Sequence, residues 1–272
     1  MKNAILNTGK SMPMLGLGVF KCTDEEAYNT VKTALESGYR HIDTATIYRN
    51  EEMVGKAIKD SKINREELFV TTKVWTEDVR ADATRQAIET SLKKLDLDYV
   101  DLYLIHWPVK EKYKETWKDM EKIYKEGLSK SVGVSNFLQH HLEDLLSSTD
   151  LVPAVDQLEF HPYLIQRPLL DFCKQNKIQF ESWSPLGATK NNLLENELLV
   201  ELGDKYGKTP AQIILRWNIQ NDVVTIPKSA NKDRQIQNIS IFDFEISEED
   251  IQRVNALDKD ERVSQHPDTF TF

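Results

Sequence analysis

Eight short apolar runs, at residues 14–20, 39–43, 68–74, 100–105, 131–135, 153–158, 178–184 and 223–227, alternate with helical patterns along the chain. The repeat is about 30 residues, the size of a strand–helix–strand unit. Several runs, Val100-Asp101-Leu102-Tyr103-Leu104-Ile105 among them, are too apolar to keep one face in water, as expected of parallel strands covered on both sides. Between them, Thr23 and Glu26 predict a capping box ahead of the period Ala27, Val31, Ala34, Leu35, and Gly38 supplies a stop. Residues 82–95 bring Thr84, Ala87, Ile88, Ser91, Leu92 and Leu95 to one helical face, and Ser247 with Asp250 caps a helix carrying Ile251, Val254 and Leu257.

Such alternation leaves two architectures. A doubly wound sheet that binds a dinucleotide carries Gly-x-Gly-x-x-Gly after its first strand. Here Gly16 and Gly18 fall inside the first run, and no third glycine or helix start follows them. Eight units favour an α/β (β/α)8 TIM barrel, whose active site is built at the C-terminal strand ends. Residues 1–12, turning at Asn7-Thr8-Gly9-Lys10, read as a short N-terminal β-hairpin outside the repeat. No linker or shift in composition divides the chain, so residues 1–272 read as a single domain.

The net charge of −9 repels nucleic acid and anionic lipid, so an anionic ligand needs a local cluster of cations. Lys228, Lys232 and Arg234, just after the eighth run, form one. Cys22 and Cys173 lack metal or redox spacing and imply a reducing compartment. With no signal-like start and no bilayer-length apolar run, the expectation is a cytoplasmic monomer.

Four ionisable residues stand at or just past the ends of runs: Asp43, Tyr48, Lys73 and His106. Alone, an Asp–Lys pair is an ordinary ion pair, a tyrosine after a strand is packing, and His106 before Trp107-Pro108 is a loop histidine. Strand ends that converge on one pocket make them a proton donor: an ammonium beside a phenol favours phenolate, and a carboxylate keeps the ammonium charged. A carbonyl that accepts hydride needs such a donor as negative charge grows on its oxygen.

The stretch Gly38-Tyr39-Arg40-His41-Ile42-Asp43-Thr44-Ala45, followed by Glu51 and Gly55, resembles the first signature of the aldo-keto reductases. Val134-Ser135-Asn136-Phe137, Gln157-Leu158-Glu159-Phe160-His161-Pro162, Trp183-Ser184-Pro185-Leu186 and Ile226-Pro227-Lys228-Ser229 resemble further motifs of that family, in its order. The chain is most similar to the bacterial branch that includes glyoxal, methylglyoxal and diketogluconate reductases. The resemblance implies NADPH as cofactor and small aldehydes or ketones as substrates. It makes Tyr48 the acid, Lys73 and Asp43 its supports and His106 the group that orients the carbonyl.

It also implies that Ser135, Asn136 and Gln157 bind the carboxamide of the nicotinamide, that Trp183 stacks on the pyridine ring, and that Ser184 and Leu186 line the same site. Lys228 and Ser229 would hold the phosphate on the adenosine ribose, and Arg234 with Asn238 phosphate and adenine. Phe20, Trp75 and Trp107 are candidate walls of an apolar substrate pocket, and the tail from Asp260 to Phe272 is a candidate cover for the barrel mouth.

The chain departs from the family at Asp156, which would bring negative charge toward the nicotinamide if it pointed into the barrel, at Gln237, where the family often has a glutamate beside the adenine, and at Gln235, where it usually has an aliphatic residue. The loops Val109 to Lys114 and Gly187 to Asn192 are short, which suggests an open pocket. His140, His141, His161 and His266 carry no chemistry in this reading, and no carboxylate–histidine spacing points to a metal. Two other functions fit parts of the pattern: a Schiff-base lyase using Lys73, and a non-catalytic dinucleotide-binding module that senses redox state.

Overall fold

The computed structural model describes residues 2–270, apart from the side chain of Thr189. The eight runs are all strands, each shorter than its apolar stretch. After a hairpin of β1 (Asn3–Ile5) and β2 (Ser11–Pro13) come β3 (Leu17–Gly18), β4 (His41–Asp43), β5 (Phe69–Val74), β6 (Leu102–Ile105), β7 (Val132–Ser135), β8 (Val155–Glu159), β9 (Gln179–Trp183) and β10 (Val224–Thr225). Strands β3 to β10 lie side by side in chain order, all parallel. A parallel bridge between Leu15 and Thr225, with Gly16 N–H on the Thr225 carbonyl and Thr225 N–H on Met14, joins the last strand to the first and closes the barrel.

The helices form the outer ring: α1 (Asp24–Glu36), α2 (Glu51–Ser61), α3 (Thr76–Arg80), α4 (Thr84–Leu95), α5 (Tyr113–Lys125), α6 (Gln139–Leu146), α7 (Arg167–Gln175), α8 (Glu197–Tyr206), α9 (Pro210–Gln220), α10 (Lys232–Ile239) and α11 (Glu248–Asn255). On α4 the buried residues are Thr84, Ala87, Ile88, Ser91, Leu92 and Leu95, the face expected from the periodicity. The Ser247 hydroxyl accepts the Asp250 N–H at the start of α11, and Gly38, at φ +98°, ends the turn after α1. The capping box of α1 does not form: Thr23 occupies the N-cap position, but its hydroxyl takes no helix N–H. Three acidic residues, Asp24, Glu25 and Glu26, occupy that first turn and satisfy its positive end electrostatically instead.

The hairpin turns at Gly9 (φ +79°). Asn7 donates to the Val152 and Pro153 carbonyls and Thr8 pairs with Ser131, so the hairpin plugs the barrel end where β7 and β8 begin. Functional groups are thereby directed to the opposite end. Among the described residues no helix is long and apolar enough to cross a membrane.

Helices α2 and α4 meet at Gly55, where any Cβ would run into the backbone of Leu95, its carbonyl first. Helix propensity favours alanine over glycine by about 1 kcal/mol, whereas overpacking against rigid backbone costs about 1–3 kcal/mol. Gly55→Ala is therefore expected to lower the urea midpoint at unchanged slope; a raised midpoint would show that the packing is looser than it looks.

Candidate active site

The barrel interior is polar near its C-terminal end because side chains two residues apart on a parallel strand share a face. On β4 this places His41 and Asp43 inward, on β5 Lys73, on β8 Gln157 and on β9 Glu181. The Lys73 ammonium, fully buried, donates to Asp43 Oδ1 at 2.6 Å and to the Thr44 carbonyl at 2.9 Å. Burial alone drives the lysine down, but Asp43 and Tyr48 more than reverse this, and it stays protonated above its ordinary value. A lysine held so is a poor nucleophile, which removes the basis for the Schiff-base reading.

A single 3₁₀ turn, Thr46–Tyr48, folds Tyr48 back over this pair. Thr46 anchors the turn by donating to the Lys73 carbonyl at 2.8 Å, and Arg49 leaves it at φ 57°. The Lys73 ammonium lies 5.3 Å from the centre of the Tyr48 ring. The expectation that the ammonium makes the phenol unusually acidic requires correction. Burial raises the phenol and outweighs the lowering by Lys73, so the net shift is upward. His106 stands edge-on to Tyr48, ring centres 5.8 Å apart, and is held well below its ordinary value by burial and then by Lys73, which leaves a neutral imidazole. Its Nδ1 is buried without a hydrogen-bond partner. The four residues picked from the sequence thus meet at one point.

Aromatic rings continue the wall. Phe20, 55% exposed, tilts against Tyr48 at 5.0 Å, and Trp75 stands edge-on to His106 at 5.1 Å. Trp107 is buried and stacks on Phe270 at 3.9 Å and 9°. The tail does cross the mouth. The buried carboxylate of Glu159, at the end of β8, accepts the N–H groups of Val263 (2.6 Å) and Ser264 (3.1 Å). Further on, Asp268 Oδ1 lies 3.0 Å from His140 Nε2 and 3.4 Å from His141 Nε2. These groups are close enough to ligate a cation, but His141 Nδ1 accepts the Leu138 N–H at 3.1 Å. Its Nε2 therefore carries the hydrogen and faces Asp268, which makes the cluster a latch for the tail. Phe272 lies outside the described residues.

At neighbouring strand ends, Ser135, Asn136, Gln157 and Trp183 are brought together and bonded to one another. Asn136, in the left-handed region at φ 63°, donates to the His106 carbonyl (2.9 Å) and Ser135 Oγ (3.1 Å), and its Oδ1 accepts the Trp183 indole N–H at 3.1 Å. Ser135 Oγ donates to the Gln157 carbonyl at 2.8 Å. Ser184, at φ 49°, and Leu186 flank Trp183 and are half-buried.

Asp156 corrects a second expectation. It alternates with Gln157 on β8 and so faces the helix layer, where its charge adds to burial in raising the Cys173 thiol of α7. Burial drives the Asp156 carboxyl itself well above the ordinary range. Gln235 is also structural: it is buried and donates to the carbonyls of Ser229 (2.7 Å) and Thr30 (3.1 Å), tying α10 to α1. Gln237 is exposed. Lys228, Lys232 and Arg234 are exposed around the start of α10, and none makes an ion pair among the described residues. Ser229 is buried, its hydroxyl bonded to the backbone of Asn231, and Asn238 is buried on the same helix. Two surface depressions, of 710 and 410 Å³, lie beside the hairpin at the other barrel end and touch none of these residues.

Comparison with known proteins agrees with this geometry. The sequence profile described as "Aldo/keto reductase family" matches residues 14–259. The chain belongs to the aldo/keto reductase family. Among aldo/keto reductases it is 54% identical over 268 residues to glyoxal reductase of Bacillus subtilis, covering 98% of this chain and 96% of that one. It is 46% identical to methylglyoxal reductase DkgA of Escherichia coli K12, covering 97% and 96%. The crystal structure of MGS-M4, an aldo-keto reductase from a deep-sea metagenome library, superposes with a TM-score of 0.97 at 45% identity, covering 99% of this chain and all of that one.

Sequence reasoning missed Asn50, Glu159 and Glu181. Buried Asn50 accepts from Thr44 Oγ1 and donates to the Val19 and Cys22 carbonyls, locking the loops that carry Phe20 and Tyr48. Glu159 was quoted within a motif without a role. Glu181 sits before Trp183 with no local signal. Burial lifts its carboxyl from an ordinary 4.5 to about 8, with Asp43 adding to the rise. The folded protein then keeps a proton that the unfolded chain releases, so stability falls as pH rises from about 4.5 to about 8 and levels off above that. Glu181→Gln is expected to flatten that fall, with a melting temperature at the alkaline end above wild type by at least about 3 °C, the shift that roughly 1 kcal/mol makes in a chain of this size. Melting curves across the interval that run parallel for the two proteins would contradict it.

Proposed function

We propose that this chain is an NADPH-dependent reductase of small aldehydes and ketones, with dicarbonyls such as methylglyoxal and glyoxal in its range, acting as a cytoplasmic monomer of one catalytic domain. The observation that carries the reading is the fully buried Lys73 ammonium, paired with Asp43 and set against the Tyr48 ring beside a neutral His106. The names of the relatives, glyoxal and methylglyoxal reductase, support the substrate class.

The residues fit a nicotinamide dinucleotide. The two N–H groups of the Asn136 amide are engaged, and so are those of Gln157. What these side chains still offer is acceptor oxygen, complementary to the amino group of a carboxamide. Trp183, pinned through its indole N–H, presents a fixed ring for stacking. The cations around the start of α10, without carboxylate partners among the described residues, suit phosphate, and the extra phosphate of NADPH needs charge-assisted bonds to offset its desolvation.

When bound, the nicotinamide supplies hydride from its C4. The chain's own part is the proton. Tyr48 keeps its proton at neutral pH because burial disfavours phenolate, and it is therefore loaded as an acid. Lys73 lowers the free energy of the phenolate that forms as the proton leaves, and Asp43 keeps Lys73 charged. Neutral His106 adds no charge against Lys73 and can orient a carbonyl oxygen by a hydrogen bond. In the oxidative direction the same phenolate takes the proton back.

Tyr48→Phe is expected to lower kcat for NADPH oxidation with methylglyoxal by about 10²–10⁴-fold, the usual contribution of a positioned acid, with little change in melting temperature. A near-native rate in a folded variant would remove Tyr48 as the acid. NADPH binding without turnover of wild type over a carbonyl panel would support the regulatory-module reading instead. Lys228→Ala and Arg234→Ala are each expected to raise KM for NADPH about tenfold or more, as losing a charge-assisted bond of roughly 1.5–3 kcal/mol implies, while KM for NADH stays put. Equal effects on both cofactors would place the extra phosphate elsewhere.

A further inference from the structure

The proton-donor arrangement accounts for Tyr48, Lys73, Asp43 and His106 but leaves a second buried carboxyl beneath them unused. Glu181 projects from β9 into the barrel and is inaccessible to solvent. Its Oε2 accepts a hydrogen from the Gln157 amide at 2.8 Å, and the other hydrogen of that same nitrogen goes to Asp43 Oδ2 at 2.8 Å. One amide group therefore bridges two carboxyl groups, and the far oxygen of Asp43 holds Lys73. Gln157 cannot release Glu181 without loosening Asp43.

The other oxygen of Glu181 shows which form the carboxyl takes. Oε1 makes no hydrogen bond and faces His41 Nε2 at 3.6 Å. The opposite nitrogen of that ring, Nδ1, lies 3.3 Å from the Pro13 carbonyl, which can only accept, so Nδ1 carries the ring hydrogen. Burial holds His41 neutral, at about 3. Nε2 is then an acceptor lone pair, with the Thr71 hydroxyl as a long donor at 3.5 Å. An ionised Glu181 would oppose that lone pair with another, whereas a protonated one can donate to it. His41 cannot swing away, because it packs so tightly on Gly16 that a Cβ there would lie 2.5 Å from Nδ1.

We propose that Glu181 is a positioning residue for the proton-donor pair: as a neutral acid it fixes the Gln157 amide on Asp43, and its ionisation is what weakens the donor at alkaline pH. The charged and titratable groups facing it are His41 and Asp43 from β4 and Lys73 from β5. Strand β8 presents the Gln157 amide, and β10 sets the apolar Val224 beside Glu181 in register. A negative charge on Glu181 lies one amide away from Asp43, so it raises the free energy of the Tyr48 phenolate and competes with Asp43 for the Gln157 N–H groups. The direction agrees with the raised carboxyl, which titrates at about 8.

The inference rests on the reductase reading, and its test separates the two. The pH dependence of kcat for NADPH-dependent carbonyl reduction is measured for wild type, Glu181→Gln and Glu181→Met, with infrared difference spectra of wild type against Glu181→Gln as a readout independent of turnover. Wild type is expected to lose rate around pH 8, with a protonated-carboxyl band at neutral pH that disappears over the same interval. In Glu181→Gln that limb and that band are absent. In Glu181→Met, which cannot hold the Gln157 amide, kcat falls about tenfold or more while KM for NADPH moves little. A wild-type pH limb in Glu181→Gln, or a protonated-carboxyl band that still disappears around pH 8 in it, overturns the inference, as does native kcat in Glu181→Met. Loss of the reductase reading shows instead as a Tyr48→Phe variant that turns over normally. If Glu181→Met does not fold, Glu181→Gln and the infrared band decide.

Discussion

A lysine enclosed in a closed barrel is the constraint on which the rest of the structure depends. Removing an ammonium from water costs several kcal/mol even after relaxation, and only close partners offset this. Lys73 finds them because β4 and β5 are adjacent in register, so that Asp43 lies across from Thr71 and one inward step from Lys73. The partners then need partners. Asp43 takes the Gln157 amide from across the barrel, Gln157 takes Glu181, and Glu181 faces His41. One buried charge thus recruits polar groups from β4, β5, β8 and β9, and their order can only be kept while the barrel is closed. The same charge controls the chemistry proposed, since Lys73 is the group that makes phenolate attainable in a place where burial opposes it.

Around this polar centre the mouth is walled by rings from the first half of the chain and covered by its tail. Phe20, Tyr48, His106 and Trp75 form a run of ring contacts, and Phe270 closes on Trp107 from the tail. The tail stays there through polar anchors, Glu159 on two backbone N–H groups and Asp268 on two imidazoles. Exposed ion pairs of the Asp268 kind are individually weak. The buried Glu159 contacts are the stronger hold on the tail. The short loops that suggested an open pocket are therefore only half the account, because the tail supplies cover that the loops do not.

Most of the architecture was readable because it is local or periodic. Eight apolar runs, the buried face of α4, the Ser247 cap and the hairpin turn each follow from spacing within a dozen residues. The errors have physical causes too. At the start of α1 the Thr23 hydroxyl takes no helix N–H, and the charge of Asp24, Glu25 and Glu26 serves that end instead. Asp156 would bear on the site only if it pointed inward, and strand alternation turns it to the opposite face from Gln157. The tyrosine was expected to be acidic because the lysine was counted and the burial was not. Gln235, a polar residue where the family usually has an aliphatic one, spends its amide on two backbone carbonyls.

By itself, the sequence determined the barrel and picked out Asp43, Tyr48, Lys73 and His106, since hydrophobic period and short motifs are properties of neighbouring residues. Tertiary structure alone decided what those groups are next to. The separation between Asp43 and Gln157 is 114 residues and between Val263 and Glu159 it is 104, and no local pattern reports such meetings. Protonation depends on those meetings, because a carboxyl group is charged or neutral according to the water it loses and the dipoles it gains. Glu181 is an ordinary acidic residue in the chain and a retained proton in the fold.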